Sequence, residues 1–265
     1  MTDTIANANI SPLSGNVLFY GKPEPLSVEA HGGLGVDPVD QPYAFAAKTH
    51  LVPLTVTEFA PAALSYPVIF VGETRQPVAV MGLRQGENLY MTDQGDFRAD
   101  VYIPGYVRRY PFIYANEQGS DRMILCVDRQ ADFVTDKFDV AFFEDGKPTE
   151  YTQNCVKFCN DFETERQRTT SFIKLLEDND LFDQRTANFT PRNPDGSAGQ
   201  PQKIADYFAV SEEKLAKLSS EKLTELRDNG ALGQIYAHIN SLLGWDRLIA
   251  VAMDRAARQP VAANA

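Results

Sequence analysis

The sequence predicts an α+β fold, a mostly antiparallel β region followed by a C-terminal helical subdomain of three or four helices. Three observations carry this reading. Between His50 and Asp145, short runs rich in Val, Ile, Tyr and Phe alternate with turns bearing Gly and Asp, as in strands joined by tight connections. After Pro148 the apolar residues recur every three or four positions, the spacing of an amphipathic helix. A length of 265 residues with 43% apolar content suits one large domain or two closely packed small ones.

Taken in order, residues 1–45 read as an irregular N-terminal arm, rich in Gly, Pro, Asn and Ser, either a tail or a segment ordered against the body. His31-Gly32-Gly33-Leu34-Gly35 reads as turn and linker chemistry. It is not a phosphate loop, because no Lys-Ser/Thr follows and no strand–turn–helix frame surrounds it. Residues 46–150 form the β-rich region, with strands expected at Val68–Val71, Val78–Met81, Leu89–Met91, Phe112–Tyr114, Met123–Val127 and Val140–Phe143. Within it, Thr57 to Leu64 reads as one short helix with Thr57 as N-cap. Tyr66-Pro67-Val68-Ile69-Phe70-Val71 is echoed by Tyr110-Pro111-Phe112-Ile113-Tyr114-Ala115, each followed by a polar turn and another apolar run. Two readings stand for this echo: two strand–turn–strand units side by side from a duplication, or a coincidence of hairpins.

Residues 151–258 form the helical region, packed on the sheet, and 259–265 a tail. Val156, Cys159, Phe162, Phe172, Ile173 and Leu176 share helical spacing. A polar loop from Thr186 to Gln202 follows. Ser211 is then an N-cap with Val210 and Leu215 placed as a hydrophobic staple. Leu223 and Leu226 mark a helix stopped by Gly230. Leu232, Ile235, Tyr236, Ile239, Leu242 and Leu243 line one face of the next, which Gly244-Trp245 interrupts.

Charge and composition exclude several roles. A net charge of −11 opposes wrapping a phosphate backbone, so no nucleic-acid partner is expected. The stretch 202–258 carries equal numbers of basic and acidic side chains, and its last helix has no basic face, which argues against a DNA-reading helix-turn-helix. The longest apolar runs are strand-length, so no membrane insertion is expected. The start, Met1-Thr2-Asp3-Thr4-Ile5-Ala6-Asn7, lacks a basic segment followed by an apolar one. With three cysteines, an odd and low number, the expectation is a cytoplasmic protein. The oligomeric state is left open.

The densest recognition chemistry lies in residues 102–112. Tyr102, Tyr106, Arg108, Arg109 and Tyr110 form the candidate binding set, and Pro104 and Pro111 stiffen it. The arginines either clamp a carboxylate or phosphate among the tyrosines, or alternate along a strand, one inward to a buried acid and one outward. No nucleophile–base pair accompanies them, so no catalytic residue is assigned. Cys155 and Cys159, four apart, read as small apolar core residues on one helix face. His50 with Glu58 lacks a convincing second histidine for a metal site, since His31 lies in the arm and His238 reads as a hydrogen-bonding residue where helix meets sheet. No metal or other cofactor is expected.

The ordered series His50-Leu51-Val52-Pro53-Leu54, Glu58-Phe59, Tyr66 to Phe70, Met81-Gly82-Leu83, Tyr102-Ile103-Pro104 through Phe112, and Phe143 to Pro148 resembles the SapC family. Thr170-Ser171-Phe172, Leu215 to Leu226, Gly230-Ala231-Leu232 and Ile235 to Leu242 extend the likeness, which runs from about residue 45 to 252. Asp206-Tyr207 stands where the family tends to place Gly-Phe. By its name the resemblance implies a bacterial protein associated with an S-layer. It also implies a gene neighbourhood with TonB-dependent receptors, tryptophan-halogenase-like flavoproteins and cupin-like oxygenases, and it supplies no catalytic residues. The expected function is a non-enzymatic binding or accessory protein. It recognises a protein or peptide partner, an envelope receptor segment or a neighbouring modifying enzyme being the candidates. The alternatives are a peptide-modifying enzyme with an unidentified cofactor, and an S-layer-associated structural protein. The last lacks repeats and calcium-binding motifs.

Overall fold

A computed structural model describes residues 17–116, 123–190 and 197–258. The chain is α+β and its sheets are antiparallel. It divides into two compact units, Met1–Phe45 with Val107–Thr164, and Ala46–Tyr106 with Glu165–Ala265. These units do not follow the chain order of arm, β-rich region and helical region. Residues 1–16 of the arm and the 259–265 tail lie outside the described residues, as do 117–122 and 191–196.

In the first unit, Pro23–Pro25, Met123–Asp128 and Phe112–Asn116 form a three-stranded sheet with Met123–Asp128 in the centre. From residue 17 onward the arm is therefore part of the unit, with Pro23 opposite Asp128. Gly35–Val36 lies between Val134–Thr135 and Val140–Ala141 in a second small sheet. Gly35 is thus a strand residue and not linker chemistry. A Cβ there would fall 2.2 Å from the Val140 carbonyl oxygen and 2.6 Å from the Phe138 ring, so only glycine fits. Asp145 and Gly146, both at positive φ, close the hairpin Phe143–Glu144 to Lys147–Pro148. The core gathers Leu34, Val36, Phe112, Val127, Val134, Phe142 and Cys159, with Cys155 against it. Apolar burial of this kind is the main term stabilising the unit.

The second unit holds a five-stranded sheet in the order Phe182–Phe189, Gln202–Val210, Val68–Val71, Gln76–Val80, Leu51–Pro53. Phe182–Phe189 and Gln202–Val210 form the long hairpin that the expected helical region and polar loop had hidden. Phe182–Phe189 is an edge strand with only Ala187 buried, so its sequence carries almost no period-two apolar signal. The two echoed hairpins are both present and belong to different sheets, one in each unit. Leu89–Met91 makes only an isolated bridge between Met91 and Phe97. Single backbone bonds and side chains hold it, the Leu89 N–H donating to the Met81 carbonyl, the Tyr90 N–H to Asn88 Oδ1 and the Tyr90 hydroxyl to the Ser65 carbonyl.

Helices cover this sheet. Phe59 packs edge-on to Phe70 and Phe172, with ring centroids 5.9 and 5.8 Å apart. Thr55, not Thr57, caps the turn Val56–Glu58 that leads into the helix Phe59–Ala63. Ser211 and Ser219 cap Glu212–Ala216 and Ser220–Asp228 by accepting the N–H three residues on. Gly230, at φ 78°, ends one helix and starts Ala231–Ser241. On that helix Ile235 and His238 face inward, whereas Tyr236 is exposed, as is Leu243 beyond its end, against the expected stripe. The chain then breaks and resumes as Gly244–Arg258.

Candidate ligand-binding groove

Two buried carboxylates organise the segment that the sequence singled out, one in each unit. In the second unit, Glu58 Oε1 accepts the Tyr102 hydroxyl at 3.0 Å and the Gly105 N–H at 2.6 Å. Its Oε2 accepts the Thr55 N–H and hydroxyl, both at 2.8 Å. In the first unit, Asp128 Oδ2 accepts the Tyr110 hydroxyl at 3.0 Å and the Gly21 N–H at 2.9 Å. Its Oδ1 accepts the Lys22 and Gln130 N–H groups at 2.8 and 3.1 Å. A carboxylate offers about four lone-pair positions, and here every one is used. Both acids position backbone and tyrosines, and neither keeps a face for a substrate proton.

The candidate residues fall into two groups that belong to different units. Tyr102 is half-buried in the second, where its carbonyl also accepts the Tyr66 hydroxyl at 2.6 Å, and Tyr106 is buried there. Arg108, Arg109 and Tyr110 belong to the first. Gly105–Arg108 is a helical turn, so the expected strand alternation of the arginines does not apply. Arg108 is exposed, with its guanidinium carbon 5.2 Å from the Phe158 ring centre. Arg109 is half-buried, 4.5 Å from the Phe162 ring centre and 5.9 Å from that of Tyr20.

Tyr110 leads to a groove. Its ring lies 4.3 Å from Phe45, 5.7 Å from Phe133 and 5.2 Å from Tyr20, centre to centre. With Val39 to Pro42 and Ala44, and with Gln130 and Asp132, the rings of Phe45, Tyr110 and Phe133 line an open cavity of about 590 Å³. The Asp37 N–H donates to the Phe133 carbonyl at 3.0 Å, and Gly35–Val36 pairs with Val134–Thr135, so the two walls are tied by backbone. Burial and the neighbouring Asp128 push the Tyr110 phenol up, so it stays a neutral donor. Sequence reading found Tyr110 but missed Phe45, Phe133 and Asp128, which come from stretches resembling arm and turn. The one usable signal was the run Tyr43-Ala44-Phe45, aromatic residues in a segment otherwise polar.

The second unit has a smaller cavity of about 260 Å³, lined by Phe189, Ile204, Ile249 and Met253 with Arg84, Glu87, Lys203 and Arg255. Several of its charges are engaged internally: Lys203 pairs with Asp206, Arg255 donates to the Asn88 carbonyl and Glu87 accepts the Leu83 N–H.

The remaining candidates lie away from the groove's lining. His238 Nε2 accepts the Val210 N–H at 3.0 Å, joining helix to sheet, and burial lowers the imidazole to about 3. His50 is half-buried and its pKa is likewise lowered by burial. Burial pushes the Cys155 and Cys159 thiols up to about 11 and about 12. Among the described residues, no group of three or more His, Cys, Asp or Glu is placed to hold a metal ion. Nor is any helix of the described residues long and apolar enough to cross a membrane.

An α+β chain whose first unit carries an open, aromatic-floored groove is thus defined. It belongs to the SapC family, whose model matches residues 26–248. No curated protein and no solved structure matches the chain.

Proposed function

We propose that this protein is a non-enzymatic binding or accessory protein that recognises a peptide segment of a partner protein. The observation carrying the reading is the groove at Tyr110, which Phe45, Tyr110 and Phe133 line together with amide and carboxylate side chains. Flat, rigid aromatic area gives affinity at little entropic penalty, and amides and carboxylates give register. The net charge of −11 disfavours a nucleic-acid partner. Cys126, Cys155 and Cys159 are all free, which supports a reducing, cytoplasmic setting. The family context directs the partner search to envelope receptors of the TonB-dependent kind and to neighbouring modifying enzymes.

A photo-crosslinking residue placed at the exposed Gln130 tests this in extract of the native host. A discrete adduct whose crosslinked peptide maps to one segment of one protein is the expected result. The same residue at Lys157, on the exposed face of the long helix, should not trap that segment. Identical adducts from both positions, or none from Gln130, would overturn the reading.

A further inference from the structure

We infer that the groove at Tyr110 takes a basic side chain, an arginine or lysine of the peptide set among proline or apolar residues. The inference rests on the reading of the groove as a peptide site and names the ligand's chemistry.

Three observations point to a cation. First, among the described residues the charged ones lining the groove are Asp40 and Asp132, both exposed and both acidic, with no lysine or arginine among them. Second, the floor is made of π systems. Phe45 and Tyr110 tilt at 39° with centres 4.3 Å apart, and Phe133 meets Tyr110 edge-on at 83°. Ring faces carry the negative end of the aromatic quadrupole, so they attract a guanidinium or ammonium. Third, the Tyr110 hydroxyl donates to the buried Asp128 carboxylate, which shifts electron density into that ring. One cavity thus joins aromatic rings with two carboxylates, a lining that suits a cation better than an anionic or purely apolar ligand.

The shape argues for an extended peptide. The cavity is open and about 590 Å³, room for a few side chains rather than an enclosed small molecule. Shallow aromatic grooves recognise polyproline-type segments because those segments are already extended and lose little entropy on docking. The chain's net charge of −11 also favours encounter with a basic partner.

The test is fluorescence anisotropy on the full chain with three labelled nonapeptides of alternating proline with arginine, with citrulline or with glutamate. The arginine peptide should bind at least tenfold more tightly than the citrulline one, and more weakly as salt is raised. Asp40→Asn and Asp132→Asn, at exposed positions, should each reduce that preference. Phe45→Leu, which keeps apolar bulk but removes a ring, should weaken the arginine peptide tenfold or more. Citrulline or glutamate peptides bound as tightly as arginine, with binding lost in Phe45→Leu, overturn the cation inference and leave the groove a peptide site. Arginine-peptide binding that survives all three substitutions overturns it too, since the peptide then docks elsewhere. If none of the three peptides binds, both the inference and the underlying reading fail.

Discussion

Tyr110 donates its hydroxyl to Asp128 at 3.0 Å, and through that carboxylate the groove floor is fastened to the backbone of residues 21, 22 and 130. Asp128 is 1% exposed, so water cannot replace it. Asp128→Ala strands three backbone N–H groups and a phenol, and should destabilise the protein by about 3 kcal/mol or more in urea melts. Tyr110→Phe removes one donor only and should lose about 1 to 1.5 kcal/mol. Equal effects from the two variants would show that Asp128 does not organise the backbone.

The second expectation concerns pH. His238 has its ordinary pKa of 6.5 in the unfolded chain and a value of about 3 when folded, because burial disfavours the charged ring. Above pH 6.5 both states are neutral and the group adds no pH dependence. Below it the unfolded chain takes a proton that the folded one refuses, so stability falls by about 1.4 kcal/mol per pH unit until the folded pKa is reached. His31 and His50, also lowered by burial, act in the same direction. His238→Gln should make the decline between pH 6 and 4.5 shallower by about 2 kcal/mol. Parallel urea-midpoint curves for the two proteins would contradict this.

The thiols give a third check. Cys126 and Cys159 are buried, Cys155 is half-buried, and burial raises all three to about 11 or 12. At pH 7.5 the folded protein should react with a bulky disulfide reagent roughly a hundredfold more slowly than in urea. Rapid stoichiometric labelling of the native protein would place at least one thiol at the surface.

The arginines of the strip should separate. Arg108 is exposed, so Arg108→Ala should change stability by less than about 0.5 kcal/mol. Arg109 lies on the Phe162 ring with its stem half-buried, and Arg109→Ala should lose about 1 to 2 kcal/mol. Thermal melts of the two variants decide it, and the reverse order would show that Arg108 is the packed member.

What the sequence disclosed was local. Ser211 before two glutamates, and Gly230 after Asn229, could be read as helix boundaries because capping depends on a few neighbouring residues. His238 was legible because a lone polar residue on an apolar helix face must find a partner. Asp128 was not, since Asp-Arg-Gln after an apolar run looks like any turn, and its partners lie at positions 21, 22 and 110. The same holds for the groove, whose rings come from residues 45, 110 and 133. Such contacts are set by chain return over long separations, which no local pattern encodes. Phe182–Phe189 escaped for a different reason, an edge strand with polar residues on both faces looking like loop.

The two compact units are interleaved along the chain: 46–106 interrupts the first, and 107–164 interrupts the second. As the polypeptide leaves the ribosome, residues 17–45 emerge long before their sheet partners at 123–128 and 134–141. The early strands Leu51–Pro53, Val68–Val71 and Gln76–Val80 likewise precede Gln202–Val210 by more than a hundred residues. Neither unit can complete itself during the first half of synthesis, and no single cut of the gene releases either one whole.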